Sequence, residues 1–136
     1  MRGIRRGERG AYLLLALVVM GALSLMLWVA AAVAMSHRDA ARVAERERRA
    51  LAGAEAALDL ARLRTARGGP DAGALELELA GARASARAEL AGGRLAITSE
   101  AVVADHRGRS GVRIVEIRVA RGIGWATVER REERLP

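Results

Sequence analysis

The stretch Arg67–Ala80, RGGPDAGALELELA, separates two kinds of sequence. Gly68 is a natural helix C-cap, and Pro70 cannot continue a helix. Beyond them Leu75, Leu77 and Leu79 alternate with Glu76 and Glu78, a period of two residues. Upstream the apolar residues recur at three- and four-residue steps instead. A switch of period from 3.6 to 2 across a Gly/Pro-rich link predicts a helical part followed by a sheet, an α+β chain.

Working back from the link, Ser36–Arg67 contains no Pro and a single glycine, Gly53. Ala, Leu, Glu and Arg dominate, and all form helix well. Ala40, Ala44, Leu51, Ala54, Leu58 and Ala61 share one face, which Glu47 interrupts. Glu45 and Arg49 stand four apart in the favourable order. Ser36 can cap, but no breaker separates this helix from the run before it. Residues 11–67 are therefore expected as one helix, on the order of 85 Å long at 1.5 Å per residue. Its outer half is expected to pack on the chain's own C-terminal part, and its inner half against other chains.

Ala11–Met35 holds 25 residues without a charge. About 20 apolar residues span a bilayer core as helix. Arg2, Arg5, Arg6 and Arg9 precede the run, so the positive-inside rule keeps the N-terminus in the cytoplasm and sends everything after Met35 outward. A secretory signal peptide cut near the AVA of Ala32–Ala34 is a competing reading, but its apolar stretch would be unusually long. A single-pass anchor is another.

Working forward, segments of alternating pattern are separated by short glycine-containing links. Leu75–Leu79, the alanine-rich stretch from Ala82, Arg94–Ala104, Val112–Ala120 and a last segment from Trp125 predict an antiparallel meander over residues 75–136. The links are Ala80–Gly81, Ala91–Gly93, Asp105–Gly111 and Arg121–Gly124. Residues 82–90 are alanine-rich enough to suit a helix as well. Such a sheet has few large apolar groups, and laying one face on the outer helix would complete its core.

Composition limits the chemistry. There is no cysteine, so disulfides, thiolate metal sites and cysteine catalysis are out. The formal charge is +7, of which the four N-terminal arginines against Glu8 supply +3. The remaining charges are mixed and suit a solvated surface. No basic patch interleaved with aromatics argues for nucleic acid, though the charge leaves that partner open. Asp105, His106 and Ser110 are close in sequence, but as a turn they read as a solvated loop and not a triad. His37 reads as hydrated at the membrane exit. No spacing suggests a metal or cofactor site. Glu55 and Asp59, one turn apart and flanked by Arg48, Arg49 and Arg62, read first as a salt-bridged surface and second as a subunit contact.

Three stretches resemble the type IV pilin-like superfamily, and within it the PilX-type minor pilins and the related K-type minor pseudopilins of type II secretion. RRGERG followed by AYLLLALVV looks like a basic prepilin leader ending in Gly10. RRALAGAEAALDLA and RLAITSEAVVADHRGRSGVRIVEIRVA look like the post-membrane helix and the late hairpin of PilX-type proteins. The resemblance implies a leader over residues 1–10, a filament-core helix over 11–35, its amphipathic extension over 36–67, a linker over 68–74 and a small β-meander head over 75–136. It implies cleavage by a prepilin peptidase between Gly10 and Ala11, and N-methylation of Ala11. It implies residence in the bacterial inner membrane with a periplasmic head, and extraction into a filament beside other minor and major pilin-like subunits. The Glu that major pilins carry at the fifth mature position is replaced by Leu15. Ala32 stands where major pilins commonly have a helix-breaking Pro. The expected function is therefore structural and not enzymatic: a minor subunit in assembly or priming of a type IV pilus or type II secretion pseudopilus. The alternative is a single-pass envelope protein that binds a partner through its outer helix and β-head.

Overall fold

The structure, a computed structural model, describes residues 6–69, 73–106 and 108–136, with side chains from Gly10 onward. Expectations for the leader's first five residues, and for Pro70 in the link, lie outside the described residues. One helix, α1 (Arg6–Gly68), is followed by five strands: β1 (Leu75–Leu79), β2 (Ala82–Ala91), β3 (Arg94–Asp105), β4 (Gly108–Arg121) and β5 (Gly124–Leu135). The strands form a single antiparallel sheet in chain order. The α+β class and the β-meander are as the change of period predicts.

α1 runs without a break past Ser36. The Ser36 hydroxyl does not cap a helix start; it donates back to the Val33 carbonyl at 2.9 Å. At the other end the cap lies one residue later than expected. Gly69 takes a positive φ of 86°, and its N–H donates to the Thr65 carbonyl at 3.2 Å. This is the single-bond left-handed cap, in which a glycine avoids the Cβ clash.

The chain divides into two compact units, residues 1–41 and 42–136. In the first, the helix from Gly10 to Ala41 is exposed along its whole length. In the second, Ala50, Gly53, Ala54, Ala57, Leu58, Ala61 and Thr65 form a buried stripe of the same helix. They lie on Ala82, Ala84 and Ala86 of β2, Leu95, Ile97 and Ala101 of β3, and Val112 and Ile114 of β4. Ala40 and Ala44, expected on the apolar face, are exposed, so the packed stripe begins only at Ala50.

The interface is built from small groups. A Cβ placed on Gly53 would lie 3.1 Å from the Ala82 Cβ and 3.2 Å from the Ala101 Cβ. The helix backbone thus rests almost on the strands. This explains the alanine-rich segment, which is strand over all of residues 82–91. Alanine is a poor strand former. It is also the side chain that fills a gap this narrow.

One expected turn is corrected. Asp105–Gly111 is not a loop, because the β3–β4 ladder continues through Ala104↔Arg109 and Asp105↔Gly108. Gly111 serves packing there: a Cβ on it would come 3.0 Å from the Leu135 Cβ.

Candidate functional site

Two features carry functional information: the exposed half of α1 and the polar seam between α1 and β4–β5. In the first unit Tyr12, Leu13, Leu15, Leu17, Leu23, Leu27 and Trp28 all lie open. An 18-residue window reaches a mean hydropathy of 2.6 with none of it covered. So much contiguous apolar surface needs lipid or protein around it. One long apolar helix near the N-terminus is compatible with a single-pass membrane protein.

Gly10, Ala11 and Leu15, the residues of the expected processing site, lie on this helix and are exposed. Ala32 lies within the helix. Nothing stands within 4 Å of a Cβ placed on Gly10, and its φ is not positive. The fold therefore makes no demand for glycine there.

Glu55 and Asp59 belong to the second unit, and both have partners inside it. Arg130 on β5 donates to Glu55 at 2.9 Å, and Arg62 donates to Asp59 at 2.7 Å. Arg134 lies 3.3 Å from Glu47, and Arg46 lies 2.9 Å from Asp105. Glu55 thus ties α1 to β5, while Asp59 pairs with Arg62 within α1.

The centre of the seam is Glu116, which the sequence reading did not single out. It lies on β4 opposite Ile97 and Arg130, on the face turned to the helix, and is fully buried. Arg62 of α1 donates to both of its oxygens, at 3.3 Å to Oε1 and closer to Oε2. Thr127 of β5 donates to Oε1 at 2.7 Å, and Arg118 Nε lies 3.5 Å away. Arg118 also donates to the Trp125 carbonyl at 2.8 Å. Burial alone would raise the Glu116 pKa. The hydrogen bonds from Arg62 and Thr127, with the charges of Arg62 and Arg118, outweigh it and hold the carboxyl below its usual range. An ionised carboxylate gripped by two arginines is a poor proton donor. Its role is to join helix, β4 and β5 at one point. The signal for it in the sequence was a lone Glu between aliphatics, with Arg62 a helix stripe away.

Asp105 engages Arg46, and Ser110 sits within β4 opposite Val103. Among the described residues no group of three metal-ligating side chains comes together. His37 is exposed, as a hydrated histidine would be.

The other face of the sheet carries no helix. Val115 and Ile117 lie half-buried there among Arg113, Glu129, Arg131 and Glu133, around a shallow groove of about 590 Å³. Comparison of the chain with protein-family models, curated proteins and solved structures found no match.

Proposed function

We propose that the chain is a minor pilin-like subunit of a type IV pilus or a type II secretion pseudopilus, cut after Gly10 by a prepilin peptidase and acting in filament assembly. The observation that carries this reading is the division of labour along α1. One continuous helix is uncharged and uncovered over 11–35, then carries an antiparallel meander on about its last five turns. Such a segment suits lipid before assembly and a bundle of like helices afterwards. Both environments satisfy the backbone within the helix and bury the apolar side chains.

The glycine at position 10 supports the same reading. Since the fold leaves that position open, its glycine is explained by an enzyme that must close around the backbone. Removal of the leader would strip the Arg-rich head and leave Ala11 as the new N-terminus. The role is structural and not enzymatic: the buried charges are committed to holding the second unit together.

The test is the mass of the mature N-terminal peptide, from cells with and without prepilin peptidase. A peptide beginning at methylated Ala11 that disappears with the peptidase is the expected result. A retained Met1 would instead support a single-pass envelope protein that binds a partner through its second unit. Leu15, in place of the glutamate of major pilins, is the residue that favours this second reading.

A further inference from the structure

The two edges of the sheet are held by different means. β1 sets Leu75 and Leu77 against the core. β5 is longer, yet none of its residues is buried. Its apolar contacts lie at its ends, where Trp125 packs against the core and Leu135 lies against Gly111. Between them Val128–Arg134 reads VERREER. Val128 is exposed, the extra residue where the β4–β5 register shifts.

What ties this middle stretch down, besides its ladder with β4, is polar. Arg130 reaches Glu55 at 2.9 Å and Arg134 reaches Glu47 at 3.3 Å, both across to α1. Thr127 donates to Glu116 at 2.7 Å, and Glu133 stands 3.7 Å from Arg113. The pairs Arg130–Glu132 and Arg131–Glu129 lie within β5 and move with it. Lifting β5 therefore gives up backbone hydrogen bonds and charge pairs, which water can replace, and exposes little apolar area. It also lets water reach Glu116, which keeps its bond to Arg62. Hydrating a buried carboxylate offsets part of the cost. The strands beneath α1 have no such exit, because Leu95, Ile97 and Ile114 are fully buried there.

We infer that β5 is a strap, which opens and recloses as a unit while α1 and β2–β4 stay folded, and that ionic strength sets how often it opens. Its two pairs to α1 are solvent-exposed, so salt weakens them. The apolar core under α1 is not loosened by salt. While β5 is lifted, the outer edge of β4 becomes a row of unpaired backbone donors and acceptors, the kind of edge to which another strand adds. The second unit thus alternates between a closed form with β5 as its edge and an open form with β4 as its edge. Nothing in this device depends on a filament; it belongs to the second unit alone.

Amide hydrogen exchange of the full chain in non-ionic detergent, read segment by segment by mass, tests this. At low salt the hydrogen-bonded amides of β5 should exchange roughly tenfold or more faster than those of β3. Raising sodium chloride from about 20 mM to about 1 M should speed β5 a further three- to tenfold or so, while β3 changes by less than about twofold. Arg130→Gln with Arg134→Gln should give the faster β5 rate already at low salt and abolish the salt response. A β5 that exchanges only together with β3 would show that it never opens alone. A β5 that opens ahead of β3, at a rate indifferent both to salt and to the double substitution, would show that the ion pairs do not hold it. Either result overturns the strap.

Discussion

The two halves of α1 solve the same problem in opposite ways. Both are long, glycine-poor helix, and both present apolar surface. From Gly10 to Ala41 many of the side chains are large and apolar, and they are exposed on every side of the helix. From Ala50 to Thr65 they are small, confined to one stripe and covered by the sheet. Large side chains all round suit a surrounding made by other molecules. A narrow alanine and glycine stripe suits a partner that approaches to backbone distance. The contrast teaches that apolar area alone does not say where a helix belongs. The size and angular spread of its side chains do.

The largest effect is expected where the covered half holds a charge. Arg62→Ala leaves Glu116 buried without its main partner, and should cost about 3–5 kcal/mol in unfolding of the full chain in detergent. Replacing both by Leu should recover much of that loss. The pair also sets an acid limit. The Glu116 pKa is depressed on folding, so its contribution is complete above the unfolded value near 4.5 and is lost as pH falls through the lower folded value. Denaturation followed between neutral pH and pH 3 should show this loss, and the double Leu variant should lack it.

The uncovered half should respond to the opposite change. Leu23→Arg puts a charge at the middle of the apolar run and should disfavour membrane insertion by about 2.5–3.5 kcal/mol. Membrane fractionation reads that loss, while the stability of the sheet should stay within about 0.5 kcal/mol. Gly53→Val crowds Ala82 and Ala101 and should destabilise the second unit by about 1–3 kcal/mol, with insertion unchanged. Glu55→Ala removes one exposed end of the link to Arg130 and should cost less than about 1 kcal/mol. If Leu23→Arg lowered the melting of the sheet as much as Gly53→Val did, the two halves would not be separate solutions.

Much of this fold was legible because it depends on local pattern. The change of period at Leu75 placed the helix-to-sheet switch, and short glycine-containing links placed three of the four strand turns. The Asp105–Gly111 segment misled because its Gly, Ser and charged residues are turn formers in isolation. In the sheet they are held by the long β3–β4 ladder, and Gly111 is chosen for closeness to Leu135. Glu116 was illegible for a related reason. Strand alternation gives two faces but not which one the helix covers. Val115, Ile117 and Val119 make the more apolar face of β4, yet the helix covers Ile114 and Glu116. Burial of that glutamate depends on Arg62, 54 residues away. The expected processing site is of another kind: it rests on a motif, and nothing in the folding of the chain requires it.

The order of the strands has a kinetic consequence. Each strand pairs only with its neighbours in the chain, so the sheet can grow by one hairpin at a time without waiting for a distant segment. Local pairing of this kind shortens the search for the native state. β5 is added last, and it brings Thr127, Arg130 and Arg134 to Glu116, Glu55 and Glu47. A chain emerging N-terminus first would thus have its helix in place early. β5 would act as the clasp, and the ionic links from β5 to the helix would form only once that strand had emerged.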